Sequence, residues 1–176
     1  MNKQDIIDLL KSNYSSFVDY INTLSADEYS YSNQQKWTAG QQLEHLVLCV
    51  APLVRVFSMD KLAIAQTFGQ TDRNSRTYDE LLNDYLQKFR EGGKAPERFV
   101  PPANTFGQKA VFCSTLLQSI DELCTKIETF SEEELNTLQI PHPLLGNLTL
   151  REMLCNAAYH VKHHQSQAER HLAQLR

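Results

Sequence analysis

The chain has 176 residues, 41% of them hydrophobic and 22% charged, enough apolar material for one full core and too much for a disordered polymer. Its net charge of −4 argues against a nucleic-acid partner, because no segment clusters the basic residues that phosphate contacts need. The longest apolar run, residues 46–54, is too short to cross a bilayer and ends at Arg55; a cytoplasmic protein with neither signal peptide nor membrane partner is expected.

Residues 4–23 carry Ile6, Leu9, Leu10, Tyr14, Phe17, Val18 and Ile21 at helical spacing, which predicts a first amphipathic helix. Residues 25–35 show no period and read as a turn. Thr38, with Gln41 three positions on, fits a capping box, and an apolar pattern then predicts a second helix to about residue 66. Pro52 lies inside it and removes a backbone bond, so a kink is expected. His45, one to two turns into this helix, reads by itself as a hydrogen-bonded core histidine.

From 67 to 106 the pattern weakens. Residues 77–89 form a short helical pattern stopped by Gly92 and Gly93, and Pro96, Pro101 and Pro102 mark an extended surface connection. A connection of this length is a crossover or part of an active-site rim. A third helix is predicted over 107–130, with one further turn opened by Ser131 and Glu134. Residues 140–147 read as a loop locked by Pro141 and Pro143. Thr149 and Glu152 make another capping box at the start of the last helix, 147–176. Four main helices, no alternating strand segments and no internal repeat predict a single all-α domain over 1–176, a four-helix bundle with a long crossover between helices two and three.

Cys49, Cys113, Cys124 and Cys155 are widely spaced, with no C-x-x-C pair, and read as small buried residues rather than disulfides or a zinc knuckle. Cys49 is the exception to watch.

Three of the six histidines fall within residues 160–164. On a wheel of about 100° per residue, Leu150, Met153, Leu154, Ala157, Val161, Ala168, Leu172 and Leu175 form one core-facing band. His164 lies inside that band and His160 at its edge, whereas His163 points outward with Asn156, Tyr159, Gln167 and Arg170. His160 and His164, one turn apart, have the spacing by which two imidazoles share one metal ion. The alternative, two core histidines each with its own buried partner, stays open until a third ligand is identified.

Trp37-Thr38-x-x-Gln41-x-x-x-His45-Leu46, followed by His142-Pro143-x-x-Gly146-x-Leu148-Thr149-x-x-Glu152 and His160-x-x-x-His164-x-x-Gln167, resembles the DinB-like family of metal-binding four-helix bundles. That family includes YfiT-like proteins and low-molecular-weight thiol S-transferases. The resemblance covers nearly the whole chain and implies a divalent metal, zinc or nickel, held by His45, His160 and His164. It also implies that helices two and three run parallel. Gln41 departs from the family's frequent glutamate, which a glutamine cap replaces without loss.

Three neutral imidazoles leave a divalent ion with its full charge and a position open for exchange, the arrangement of catalytic sites. Two chemistries follow as expectations: transfer of a low-molecular-weight thiol to a small molecule in stress or detoxification, which is preferred, and hydrolysis. No general base stands out and the catalytic residues are unknown; His142, held between two prolines, is expected at the mouth of the site, touching substrate or a water beside the ion's ligands rather than the ion. A non-catalytic bundle binding a metal or ligand is the alternative. Tyr78, Tyr85, Phe89, Phe99 and Phe106 exceed what one bundle surface needs, so a homodimer is expected unless these aromatics fold back over the bundle.

Overall fold

The computed structural model describes residues 1–33 and 36–175. Gln34 and Gln35 of the predicted turn, and Arg176 at the end of the predicted last helix, lie outside the described residues. Eight α-helices occur among the described residues: α1 (Lys3–Thr23), α2 (Ala26–Ser30), α3 (Ala39–Phe57), α4 (Lys61–Phe68), α5 (Tyr78–Arg90), α6 (Lys109–Glu128), α7 (Glu132–Thr137) and α8 (Leu150–Leu172).

The bundle is built from α1, α3, α6 and α8, and its directions follow from the bonds between them. Lys3 Nζ reaches the Phe130 carbonyl at 2.9 Å, and Lys109 Nζ the Leu24 carbonyl at 3.3 Å, so α1 and α6 are antiparallel. Arg151 Nη1 donates to the Met1 carbonyl and Asn13 Nδ2 to the Ala158 carbonyl, both at 2.8 Å, so α1 and α8 run together. Gln42 meets His164 while His45 meets His160, so α3 opposes α8. The expected parallel pair of α3 and α6 follows, and Phe57 and Phe130 close its far end with ring centroids 5.1 Å apart.

Each long helix buries the predicted stripe. Ile6, Leu10, Phe17 and Ile21 of α1 are fully buried, as are Leu43 and Leu46 of α3, Leu116 and Ile127 of α6, and Leu154 and Val161 of α8; each such apolar side chain contributes about 1.5–3 kcal/mol of burial. Capping boxes start α3 with Thr38 and Gln41, and α8 with Thr149 and Glu152. Pro52 lies inside α3.

Four local readings are corrected. Residues 26–30 are helical, because Ser25 and Glu28 form a capping box whose single turn is too short to show a period. The second helix does not continue to residue 66: α3 ends at Phe57, and Asp60 caps a separate α4 by accepting from Leu62 and Ala63. The predicted loop before α8 contains an antiparallel hairpin, β1 (Gln139–His142) and β2 (Gly146–Thr149), with Ile140 opposite Leu148 and His142 opposite Gly146. Four residues per strand, with Pro141 in one of them, give too little alternation to be read from sequence. Leu175, placed on the inward band of the last helix, is exposed just beyond the end of α8.

The crossover folds back onto the bundle. Leu81 and Tyr85 of α5 are buried, Tyr78 and Phe99 are half-buried, and Phe89 and Phe106 remain exposed. Two of the five aromatics behind the homodimer expectation therefore stay on the surface. Glu152 anchors this arrangement. Its fully buried carboxylate accepts both ends of the Arg73 guanidinium at 2.6 Å, the Arg76 backbone N–H at 2.7 Å and the Arg76 Nε at 3.1 Å. Burial alone would raise its pKa; these bonds, with the Thr149 N–H, hold it down to about 2.

Candidate metal centre

His45 from α3 and His160 and His164 from α8 converge on one point. Their ligand atoms lie within 4.8 Å of one another, with His45 Nε2 3.4 Å and His164 Nε2 2.8 Å from His160 Nε2. Two nitrogens bound at about 2.05 Å to a tetrahedral ion stand about 3.3 Å apart, close to the first of these separations.

The second ring nitrogen of two of these histidines is fixed from outside. His45 Nδ1 donates to the Phe99 carbonyl at 2.7 Å, so its Nε2 carries the lone pair. His164 Nδ1 donates to Gln42 Oε1, with the same result. A single Nε2 proton on His160 serves only one of these two neighbours, whereas one divalent ion serves three lone pairs at once. Orientation by a carbonyl or amide oxygen on the far nitrogen is how metal-bound histidines are held.

Burial keeps the three rings neutral. It lowers the pKa of His45 despite the Phe99 bond, and drives those of His160 and His164 well below the ordinary value, with the neighbouring histidines adding to the effect. Neutral imidazoles are the form that binds metal. The buried group could hold a metal ion.

All three histidines line a cavity of about 740 Å³, together with Trp37, Cys49, Tyr85 and His142. Trp37 stacks near His164 at 6.3 Å between centroids and lies 4.9 Å from His45. Cys49 Sγ is 3.5 Å from His45 Nε2, and burial pushes its thiol up to about 12. No aspartate or glutamate is among the described lining residues.

The profile of the DinB superfamily matches residues 9–168. The chain belongs to the DinB superfamily. No curated protein matches it. The DinB-like all-α fold agrees with the sequence expectation, and the resemblance drawn from the tryptophan and histidine motifs is borne out.

Within this DinB bundle His142 does stand in the cavity lining. Its Nδ1 accepts the Leu144 and Leu145 backbone N–H groups at 3.1 and 3.2 Å, so the neutral ring carries its proton on Nε2, 3.2 Å from the Asn156 amide. Burial, with Arg76 nearby, lowers its pKa to about 4. It therefore offers no free basic nitrogen.

His163 is the correction at the site. The wheel turns it outward, yet it is buried, with ring centroids 4.9 Å from Phe89 and 5.7 Å from Tyr85. Asn156 is buried on the same face. The wheel treats the side opposite the core as solvent, whereas α5 covers it. Two residues went unnoticed in the sequence: Gln42, one turn before His45, and the Phe99 carbonyl. Gln42 could have been found from its i−3 position on the histidine's own face; a backbone carbonyl leaves no sequence signal.

Proposed function

We propose that this DinB-superfamily chain is a zinc- or nickel-dependent enzyme that joins a low-molecular-weight thiol to an electrophilic small molecule, in stress or detoxification. The observation that carries this reading is that His45, His160 and His164 all line a large cavity rather than a closed core. A structural zinc site is normally sealed by four protein ligands; three ligands beside a cavity leave a position for a reactant. A divalent ion bound there supplies the electrostatic pull that turns a thiol into a thiolate at neutral pH.

The chain's own residues favour thiol transfer over hydrolysis. Attack by water needs a base to take its proton in the transition state, yet the described lining has no carboxylate, His142 has Nδ1 occupied by two N–H groups, and Nε2 of His163, also in the lining, is taken by the Gln167 amide. A thiol gives its proton to solvent before it attacks, so sulfur forms the bond to carbon, and the acceptor's leaving group departs with the electron pair of the bond that breaks, without a protein base. His142 Nε2 and the Asn156 amide are bonded to each other in the lining, and the second polar atom of that amide is left to orient a polar group of the acceptor.

Zinc-loaded and chelator-stripped protein, incubated with several small thiols and monochlorobimane, test this proposal. Zinc-dependent formation of the fluorescent thioether is the expected result. If the rate is no higher than without protein for every thiol tried, the enzymatic reading fails and a non-catalytic metal- or ligand-binding bundle takes its place, a role that the same lack of a base permits.

A further inference from the structure

The strap that leaves α5 is fixed at both ends. Gly92 has φ +92°, and the N–H groups of Gly92 and Gly93 bond the Phe89 and Lys88 carbonyls at 3.1 and 3.0 Å, a Schellman ending that needs glycine at the first position. A Cβ on Gly93 would stand 2.8 Å from the Lys88 carbonyl oxygen and 3.2 Å from Leu144 Cδ2, so the strap sits tightly against the turn of the β1–β2 hairpin. Its other end is the short 3-10 turn Glu97–Phe99, whose Phe99 carbonyl holds His45.

The strap presents two cations to the cavity, Lys94 between these anchors and Arg98 within the second. Both are exposed, and neither has an ion-pair partner among the described residues. The Arg98 guanidinium lies 4.9 Å over the Phe99 ring, a contact that positions it while keeping its N–H donors available. The chain as a whole is acidic, with 21 aspartates and glutamates against 17 lysines and arginines, yet no acid is among the described lining residues. Much of the remaining lining is carbon, with Leu53, Val56, Phe68, Ile140 and Met153. Cations at the mouth of a low-dielectric cleft focus the field and attract anions into it.

We infer that the cavity takes an amphipathic organic anion, its apolar ring or chain seated on this carbon wall and its anionic group paired with Lys94 and Arg98. The inference rests on the cavity being the ligand site of the reading above, and names the class of acceptor it admits.

The test uses two probes with the same aromatic body: 8-anilinonaphthalene-1-sulfonate, whose sulfonate is a poor metal ligand, and neutral N-phenyl-1-naphthylamine. Fluorescence titration of the zinc-treated full chain is expected to show the sulfonate binding at least about tenfold tighter, with only its affinity falling as salt rises. Lys94→Gln with Arg98→Gln, or Lys94→Glu alone, should abolish that preference while leaving the neutral probe unaffected. Equal affinities in the unaltered chain, or a preference that survives both variants, overturns the inference. Zinc content measured on the same samples separates the two readings. Protein without zinc that still prefers the anion counts against the metal centre alone, and protein with zinc but no preference counts against the anion site alone.

Discussion

Gln42 and His164 are locked to each other: Gln42 Oε1 accepts the Nδ1–H of His164, which leaves His164 Nε2 as the lone pair facing His160. Gln42→Leu is therefore expected to weaken zinc affinity by about 10- to 100-fold, and Gln42→Glu to preserve it, since a carboxylate accepts the same proton. Calorimetric titration with zinc reads both. Unchanged affinity in Gln42→Leu would show that Gln42 does not position the ligand.

The bonding continues away from the centre. Gln42 Nε2 donates to Gln167 Oε1 at 3.3 Å, and Gln167 Nε2 to His163 Nε2 at 2.5 Å. His163 is the far end of this chain and is not among the three converging ligands. His163→Ala should cost stability, about 2 kcal/mol for a buried, hydrogen-bonded side chain, while zinc affinity falls far less than in His164→Ala. Equal losses of affinity in the two variants would refute this division of roles.

Acid should destabilise the protein over two pH windows. The folded pKa of His142 is lowered to about 4 from an ordinary 6.5, so the unfolded chain takes up that proton first and stability falls as pH drops from 6.5 toward 4. Glu152, held at about 2 against an ordinary 4.5, contributes stability that is present above 4.5 and lost as pH falls toward 2. Urea unfolding at a series of pH values should show both slopes. Burial lowers the pKa values of His45, His160, His163 and His164 as well, so His142→Asn should lessen the upper slope without removing it and leave the lower one in place; an unchanged upper slope would mean that His142 takes no part in it.

Gly40 in the first turn of α3 has no room for a side chain. A Cβ there would stand 2.2 Å from Asn104 Oδ1 and 2.5 Å from the Tyr29 ring. Gly40→Ala is expected to destabilise by about 1–3 kcal/mol through overpacking, despite alanine's better helix propensity. A melting temperature at or above that of the unaltered chain would contradict this packing.

What was legible in the sequence was what depends on local period. The stripes of α1, α3, α6 and α8, the caps at Thr38 and Thr149, and the inward turn of His160 and His164 all follow from residues a few positions apart. The errors around the site share one cause, which is distance along the chain. His163 and Asn156 were assigned to solvent because nothing near them in sequence reveals that Tyr85 and Phe89, some 70 to 80 positions earlier, cover that face. Glu152 was recognised as a cap, but its bonds to Arg73 and Arg76 cross a span of similar length. The hairpin at Gln139–Thr149 was hidden by strands too short to alternate and by the prolines that shape its turn.

The measurement that tests the account most directly is a zinc and nickel titration of chelator-stripped protein, with elemental analysis of the product. The account predicts one divalent ion per chain, a melting temperature that rises on loading, and loss of both effects in His45→Ala, His160→Ala and His164→Ala. A chain that takes up neither metal, or whose uptake survives removal of His164, would contradict the metal centre.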